Sequence, residues 1–517
     1  MTEEDIVDIL EVAETQHAKA LDPDERQLRD ILALLQAQVS RLNTEIAPPA
    51  AQRAAALPQI TRMAKVLVPI TLSTFPTEIL VNIFKLCIDG SLILDSETLR
   101  ADPLLNLALV CKRWGTIVKG TSVLWNDFFL DYKRWSNPAP LKNAALACIG
   151  RAGPFSPLSI HTGQPKTQNG VIAAAGANAD PLPHIIIPFS VRLKHITLCL
   201  PFDWLDNFLT LPPGSIPILE SADIQLLSNG QDGDPVLGGT MTVFAGAPNL
   251  RKLTFRLEDH YAELHQFGHG TPPPLVLAPD AQLQLPWTQL THLAFIDFPV
   301  PHRLFHKMIR QCSQLQSFAA TPLGPIAGLV GKTESTTLVS LNLELNNPSN
   351  LFKEYTDALV ATNLRHLTLR GSHREWSQSA FSSLLSRLTC HLTHLTISIN
   401  LQRSYLEPLL RLVPSVEVLE LKECYISSTT IDKVLRGELL PHLLRLCCIM
   451  DLQTLERFCS RLIKDREDSA GVGNGAHSGI QSAQIYMDSE IKKAREYLDG
   501  LRQNELGIEI EEIRHHR

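Results

Sequence analysis

One short segment of the sequence has residue types that are typical of nucleotide binding. Residues 328–333 read Gly-Leu-Val-Gly-Lys-Thr. In a phosphate-binding loop, backbone amides wrap the phosphates while the lysine and threonine contact phosphate and Mg²⁺. Such a loop also needs a glycine five residues before the second glycine, and this position is Ile326. A strand beginning at Leu338 is expected to follow instead of a helix, so we interpret the segment as a turn between repeats.

Three histidines raise the question of a metal site. His260, His265 and His269 lie in a segment rich in glycine and proline, and imidazole groups are common zinc ligands. Their spacing does not place them on one helix face, and no nearby cysteine or carboxylate pair completes a ligand set. We therefore expect histidines on a surface loop and no bound metal.

Two adjacent cysteines occur in a predicted strand. Neighbouring side chains of a strand point to opposite faces, so Cys447 and Cys448 cannot converge on one metal ion, and one of them is expected in the core. No spacing of Ser, His, Asp or Cys indicates a nucleophile with its base. We expect no catalytic residues and no cofactor, and interpret the chain as a non-enzyme.

The composition narrows the class of protein. The chain has 517 residues, of which 44% are hydrophobic and 20% charged, as in ordinary globular proteins. We find no apolar run of the ~18–20 residues that a membrane span needs, and the acidic start of the sequence does not resemble a secretory signal. Its 10 cysteines include no Cys-x-x-Cys pair. A reducing compartment, cytoplasm and/or nucleus, is therefore expected.

The negative charge is concentrated at the N-terminus. The net charge is -7, and residues 1–30 hold ten acids and three bases, so the rest of the chain sums to zero. Without a basic excess, binding of nucleic acid through its phosphates is not indicated. A membrane partner is not expected either.

The acidic region, residues 1–50, is expected to be helical. Leu28, Ile31, Leu35 and Leu42 step by three, four and seven residues, which places them on one helical stripe of about two heptads. This pattern fits a short coiled coil with weak self-association. It fits equally a solvated helix that packs on its own chain.

Helical patterns also fill residues 70–130. Apolar residues recur at three-and-four spacing first around Ile79 and Phe84, and again from Leu105 to Val118, before a short element ends at Trp125. A unit of this size buries its apolar surface poorly on its own. Part of that surface is therefore expected to contact a partner.

A Pro- and Ala-rich connector, residues 131–185, is expected to lead into repeats over residues 186–512. The phrase Leu-x-x-Leu-x-Leu returns there, and from Leu290 onward its first positions are 25, 23, 26, 28, 24 and 27 residues apart. This period is typical of leucine-rich repeats. Helical stretches between the phrases predict an α/β solenoid with a concave parallel sheet. The following outward positions are expected to line it: Arg365, His366, Thr368, Arg370, Thr393, His394, Thr396 and Ser398.

Three ordered motifs in the second region resemble the F-box family. Phe75-Pro76-Thr77-Glu78-Ile79-Leu80-Val81-Asn82-Ile83-Phe84 is followed by Leu109-Val110-Cys111-Lys112-Arg113-Trp114 and then by Leu124-Trp125. Their order is similar to the Leu-Pro-x-Glu-Ile-Leu-x-x-Ile-Phe, Val-Cys-x-x-Trp and Leu-Trp signatures of that family. Two features depart from it: Phe75 replaces the usual leucine, and the link over residues 88–104 is longer than usual.

Most of the chain resembles fungal, basidiomycete-type F-box proteins with a C-terminal domain similar to leucine-rich repeats. The resemblance implies a substrate receptor of an SCF-type cullin-RING ubiquitin ligase. Its F-box would bind a Skp-family adaptor, and through it cullin, while the repeats recruit a protein substrate that the sequence does not identify. The implied adaptor contacts, some of which must be internal core, are Phe75, Pro76, Ile79, Leu80, Ile83, Phe84, Val110, Cys111, Trp114, Leu124 and Trp125.

A second function fits the same pattern. The departures at Phe75 and in the longer link favour a non-catalytic repeat scaffold that binds proteins without a role in a ligase. Recovery of the adaptor without cullin would distinguish this function from the first.

Overall fold

The computed structural model describes most of the chain outside its N-terminal region. Residues 34, 36 and 37 are described as helical, but the other residues of the expected N-terminal helix, and its self-association, lie outside the described part. The described residues are otherwise 75–88, 90–94, 103–130, 138–163, 180–227, 241–258, 283–323, 332–345, 358–371, 378–387, 391–399, 401–471, 480–487, 491–501 and 508–512.

Two compact units divide the chain. The first contains the residues up to Phe129 together with Asn143–Ser156, and the second contains Leu130–Lys142 and Pro157–Arg517. The helices of the first unit are α1 (Thr77–Cys87), α2 (Pro103–Val110), α3 (Lys112–Gly120), a 3₁₀ turn (Ser122–Leu124) and most of α4 (Pro138–Ala152). Two short strands, β1 (Leu92–Leu94) and β2 (Asp127–Leu130), pair with each other.

Helix α1 begins after a proline and buries one face. The carbonyl group of Pro76 accepts hydrogen bonds from the amides of Ile79 and Leu80, so the helix starts without a side-chain cap. Leu80 and Phe84, four residues apart, are fully buried, as helical periodicity requires. The ring of Phe84 lies 4.8 Å from that of Trp114 on α3.

A cysteine caps helix α3. Cys111 has extended backbone angles, and its sulfur accepts a hydrogen bond from the backbone N–H of Trp114 at 3.5 Å. A side-chain acceptor at this position satisfies one of the free N–H groups of the first turn.

Trp125 connects the end of α3 to α4. It is buried, and its Nε1 donates a hydrogen bond to the Val118 carbonyl at 2.7 Å, while the Arg151 guanidinium lies 4.5 Å from the centre of its ring. These contacts fix the end of α3 against α4.

The second unit is built on a long parallel sheet. Its strands are β3 (Leu158–Thr162), β4 (Leu193–Pro201), β5 (Ser221–Leu227), β6 (Lys252–Glu258), β7 (His292–Pro301), β8 (Ser317–Leu323), β10 (Ser340–Glu344), β12 (His366–Arg370), β13 (His394–Ser398), β14 (Val418–Tyr425), β15 (Arg445–Ile449), β16 (Ser482–Met487) and β17 (Ile508–Glu512). They follow one another in chain order, and every neighbouring pair is parallel. Strands β9 (Thr333–Ser335) and β11 (Leu359–Ala361) form a separate parallel pair.

Helices connect many of the strands. They are α5 (Phe202–Leu209), α6 (His302–Gln311), α7 (Gln378–Arg387), α8 (Arg403–Leu410), α9 (Ser428–Leu435), α10 (Leu452–Gly471) and α11 (Ile491–Leu501), with π or 3₁₀ turns at Leu182–Ile186, Ile187–Arg192, Val243–Gly246 and Trp287–Gln289. A strand followed by a helical or irregular return, repeated in one direction, is a solenoid. The predicted α/β repeat fold is therefore confirmed.

Register places the repeated apolar residues side by side in the core. Leu341 pairs with Leu367, which pairs with Leu395, and Leu395 pairs with Leu419. All four are at most 1% exposed. In the next inward layer, which continues from Leu343, the rings of Phe255 and Phe295 stack at 5.4 Å. The leucine phrases of the sequence thus form the core.

The sheet begins earlier than the sequence predicts. The segment expected to be a connector contains β3, whose Leu158 and Ile160 are fully buried and which pairs with β4. Alternation of buried and half-buried residues over Leu158–Thr162 marks it as a strand with one face in the core. The first described strand of the solenoid therefore precedes residue 186.

The C-terminal elements agree with the pattern of the sequence. Ile480, Ala483 and Ile485 are buried, and the last two lie on β16. Helix α11 and strand β17 follow, and β17 pairs with β16. The parallel sheet thus continues to the end of the described chain.

The close packing of α2 on α3 generates a first prediction. A Cβ atom at buried Gly115 would lie 2.8 Å from the backbone oxygen of Ala108, whereas one at Gly120, on the same helix, would have nothing within 4 Å. Gly115→Ala should therefore destabilise the first unit by about 1–3 kcal/mol, and Gly120→Ala should change its stability by less than about 0.5 kcal/mol. Hydrogen exchange of the α2 and α3 amides measures both. Equal protection in the two variants would contradict the close contact.

Candidate functional site

The predicted adaptor contacts fall into two groups in the first unit. Four of them are interior: Leu80, Phe84, Leu124 and Trp125 are at most 5% exposed. The others reach the surface wholly or in part, namely Phe75, Pro76, Ile79, Ile83, Val110, Cys111 and Trp114. The interior residues hold the helices together, and the second group is available for contact with another molecule.

An apolar row runs along the outer side of α1. Ile79 is 44% exposed, Ile83 is half-buried and Leu86 is 86% exposed. Their spacing of four and three residues places them on one helix face. An isolated exposed leucine is unremarkable, but a row of three on a single helix face is typical of a surface that packs against a partner.

The junction between α2 and α3 provides a second apolar group. Val110 is 44% exposed, Cys111 is exposed, and the half-buried Trp114 leans on Phe84 of α1. The guanidinium of Arg113 donates to the carbonyl group of Phe75, just before α1 begins. This bond holds the junction near the first turn of α1.

Leu86 and Val123 are exposed apolar residues that the predicted adaptor contacts did not include. Leu86 follows Ile83 by three residues, so the helical spacing was sufficient to include it on the outer row. Val123 is 41% exposed in the 3₁₀ turn before Leu124, and spacing gives no signal for its exposure. Both enlarge the accessible apolar surface of the first unit.

The second unit presents a polar sheet face. The predicted outward positions lie in register across β12 and β13: His366 pairs with His394, Thr368 with Thr396, and Arg370 with Ser398. None of these six residues is buried. The rings of His366 and His394 are 4.2 Å apart, and the Thr393 hydroxyl is 2.9 Å from Nδ1 of His394.

Burial and nearby charges shift the pKa values of two histidines on this face. Partial burial lowers the pKa of His292, and Lys252 on the adjacent strand lowers it further. The pKa of His366 is lowered by partial burial, by His394 and by Arg365. Both rings are therefore neutral over a wider pH range than free histidine, because a proton there meets positive neighbours.

Acidic residues occupy the carboxyl ends of the central strands. Asp297 adopts a left-handed φ of 55°, where the pairing of β7 with β8 is irregular between Phe295 and Pro299. Partial removal from water and the proximity of Glu344 raise the pKa of Asp297 to about 6, although Arg370 and Arg256 oppose the shift. Glu344 in turn accepts a hydrogen bond from the Thr321 hydroxyl at 3.0 Å.

The other sequence motifs give no site. Thr333, the last residue of the segment similar to a phosphate-binding loop, is fully buried in β9, with its hydroxyl 2.9 Å from Nδ1 of His306. His260, His265 and His269 lie outside the described residues. Among the residues that the structure describes, no group of three or more potential metal ligands occurs, and no helix is long and apolar enough to cross a membrane.

Both members of the cysteine pair are buried, not one alone. Cys448 is fully buried in the leucine layer, and burial raises its pKa well above that of a free thiol. Cys447 points to the other face and is 2% exposed; its pKa is raised by burial and by Glu420, although a hydrogen bond from Tyr486 opposes the shift. Neither cysteine is accessible for chemistry.

An exposed apolar helical unit followed by a parallel-sheet solenoid defines a repeat protein with a separate interaction module. Residues 72–131 match the F-box-like family, so this part of the chain is an F-box-like domain. No curated protein matches the chain at a significant level. A protein of Bacteroides fragilis, solved as a structural genomics target, is 12% identical, with a TM-score of 0.30 over 51% of this chain and 66% of that chain. The chain thus spans less than two thirds of that protein, and the likeness is too distant to support an inference.

The cysteines generate a prediction about reactivity. Burial raises the pKa of Cys312 and Cys459 to about 12, whereas Cys87 and Cys111 are exposed. Only the thiolate is alkylated, and a thiol whose pKa is raised stays protonated near pH 8. Iodoacetamide should therefore label Cys87 and Cys111 of the native protein and leave Cys312 and Cys459 unmodified until guanidinium is added. Mass spectrometry of tryptic peptides reports each site, and fast native labelling of Cys312 would contradict its burial.

Proposed function

We propose that the chain is a substrate receptor of an SCF-type cullin-RING ubiquitin ligase. The observation that carries this proposal is the F-box-like match over residues 72–131, together with the apolar side chains that this unit leaves exposed. F-box domains generally bind Skp-family adaptors. In this proposal the adaptor covers the outer row of α1 and the α2–α3 junction and joins the chain to cullin.

The docking surface in this proposal is smaller than the set of residues the sequence indicates. Ile79, Ile83, Val110, Cys111 and Trp114 are accessible and contact the adaptor directly, together with Phe75 and Pro76 at the start of α1. Leu80, Phe84, Leu124 and Trp125 act indirectly, because they hold the helices in the geometry that exposes the others. Leu86 is added to the contact set on the grounds of its exposure and spacing.

Simple energetics support such a surface. Complete burial of one aliphatic side chain contributes about 1.5–3 kcal/mol before the costs of association. Ile79, Leu86 and Val110 are each at least 44% exposed, and in this proposal Trp114 is the aromatic anchor of the surface. A few such side chains are enough for specific binding, and their exposure in the free unit is otherwise unfavourable.

The repeats supply the second half of the proposed function. Their sheet face is polar and accessible where it is described, and it selects the protein to be ubiquitinated. The chain itself is non-catalytic, acts in the cytoplasm and/or nucleus, and shares this arrangement with fungal F-box proteins. Weak self-association through the N-terminal helix belongs to the same proposal.

Charge introduced into the outer row should abolish docking. Ile79→Glu or Val110→Glu places a carboxylate at the apolar interface, where it cannot be solvated, and should weaken binding of a Skp-family adaptor by about 30-fold or more. Val191→Glu, at an exposed apolar residue of the second unit, is the matched control and should leave binding unchanged. Calorimetric titration of purified proteins measures the affinities. Equal binding by all three variants would overturn the proposed surface.

Reconstitution distinguishes a ligase subunit from a scaffold. The chain should co-purify with the adaptor and with cullin. A protein captured by the repeats should then receive ubiquitin when cullin, its RING partner and the conjugating enzymes are added. Ile79→Glu should abolish the transfer and leave the captured protein bound, because the two sites lie on different units. An adaptor complex that never recruits cullin would instead support the non-catalytic repeat scaffold.

A further inference from the structure

One row of outward side chains crosses the solenoid sheet without a carboxylate. Pairing in register runs from Ser159 of β3 to Ser482 of β16, through one residue of each intervening strand. We call this row the histidine rung after its charged and ionisable members: His195, Lys252, His292, His366, His394 and Arg445. Its remaining positions are serines and one valine. None of its residues is buried.

The residues that immediately precede the rung strengthen its positive charge. They include Lys194, Arg251 and Arg365 against two acids, Glu220 and Glu417. With Lys252 and Arg445 of the rung itself, five fixed cations face two anions, which gives +3 before any histidine is protonated. Glu220 is already paired with Lys194 at 3.4 Å. Residues 31–517, which include this band, sum to zero charge, so the +3 is a local excess.

Acids of the sheet face lie beyond the rung and are already engaged. Asp223, two residues further along its strand, pairs with Arg256 at 3.3 Å, and Glu420 lies 3.6 Å from Lys422. Asp297 and Glu344 stand still nearer the carboxyl ends of their strands. The sheet face is therefore positively charged along the rung, near the amino ends of the strands. Toward the carboxyl ends, acids such as Asp223 and Glu420 are paired with nearby bases.

The ionisable side chains of the rung lie close enough to neighbouring polar and charged groups to interact with them. His292 lies between Lys252 of β6 and Ser317 of β8, and His366 lies between Ser340 of β10 and His394 of β13, with Arg365 beside it. His195 has Ser221 at 2.8 Å and Glu220 at 4.0 Å. Besides burial, the groups that lower the pKa of these two rings are Lys252 for His292, and His394 and Arg365 for His366.

We propose that the histidine rung binds an acidic segment, rich in Asp and Glu, of the protein that the repeats capture. Lysine, arginine, imidazole N–H and serine hydroxyl groups can all donate hydrogen bonds to carboxylates. The rung combines these donors in one line, and none of its own positions is a carboxylate; Glu220, beside His195, is paired with Lys194. This inference rests on the proposed function, because it assigns the chemistry of the substrate that the repeats select.

A protein segment fits this row better than a nucleic acid. Polyphosphate binding needs a large excess of permanent cations, whereas the rung and the residues before it hold five against two carboxylates. Nine strand-to-strand steps separate His195 from Arg445, or roughly 40 Å at the usual strand spacing. An extended peptide of about 12 residues covers that distance. The row thus matches the length of a short acidic segment.

Binding of a labelled glutamate-rich peptide of about 12 residues tests the inference on the full chain without any adaptor. Fluorescence anisotropy at low salt should show saturable binding that strengthens by roughly tenfold as the pH falls from about 7.5 to about 5.5. The direction follows from protonation, since each histidine gains positive charge below its pKa, while glutamates stay ionised. Higher salt should weaken the binding.

Matched variants locate the site. Lys252→Glu should weaken binding by roughly tenfold and Lys252→Gln by about threefold, whereas Lys307→Glu, at an exposed lysine on α6, should have no effect. His366→Gln combined with His394→Gln should reduce the pH dependence by about half, because two of the four rung histidines remain, and His442→Gln, at an exposed histidine in a turn, should leave it unchanged. Unchanged thermal midpoints show that each variant is folded, since all these positions are accessible.

Several outcomes would overturn the inference. They are absence of binding by the wild-type chain, equal losses in Lys252→Glu and Lys307→Glu, or tighter binding of an RNA oligonucleotide of the same charge. A large gain in peptide affinity when the acids of residues 1–30 are replaced by amides would identify the chain's own N-terminal segment as the occupant. Adaptor binding should be unchanged in every rung variant, so failure of this test and failure of adaptor docking remain distinguishable.

Discussion

The parallel register of the apolar layer is the constraint on which the solenoid depends. Leu341, Leu367, Leu395, Leu419 and Leu446 each pair with the next, and all are at most 1% exposed. A slip of one residue would turn this entire layer toward water, at a cost of about 1.5–3 kcal/mol for each leucine. The same register determines which side chains face outward and how they align across strands. Core and surface are therefore specified together.

The F-box-like unit depends on a different balance. A unit of its size has too little interior for all of its large apolar residues. Phe84, Leu80 and Trp125 fill that interior, and hydrogen bonds such as that from Trp125 to Val118 make the packing specific. Once these positions are filled, Ile79 and Leu86 remain outside. Their exposure is a consequence of the geometry, because a unit of this size has no interior left for them.

The sequence predicted the repeats better than it predicted the site. Each Leu-x-x-Leu-x-Leu motif indicates both the position of a strand and which of its residues face the core. The strands from Leu193 onward could therefore be located from the sequence. Strand β3 was missed because Leu158 and Ile160 form only a short alternation beside prolines and glycines. In the F-box-like unit, Ile79 and Leu80 are both apolar and both fit the helical pattern. The pattern does not show which of the two faces the core of a small bundle and which faces outward. Only packing separates them: Leu80 is 0% and Ile79 is 44% exposed.

The histidine rung could not be recognised from linear spacing alone. Its consecutive positions are 23 to 40 residues apart in the sequence, with the shortest step from Ser317 to Ser340 and the longest from Lys252 to His292, and only the register aligns them. Each member directly precedes the inward residue of its strand, as His366 precedes Leu367 and His394 precedes Leu395. Because this position is half-exposed and outside the core, its side chain is not determined by packing. A solenoid can therefore change the chemistry of what it binds one strand at a time, while the buried leucines that define the sheet stay the same.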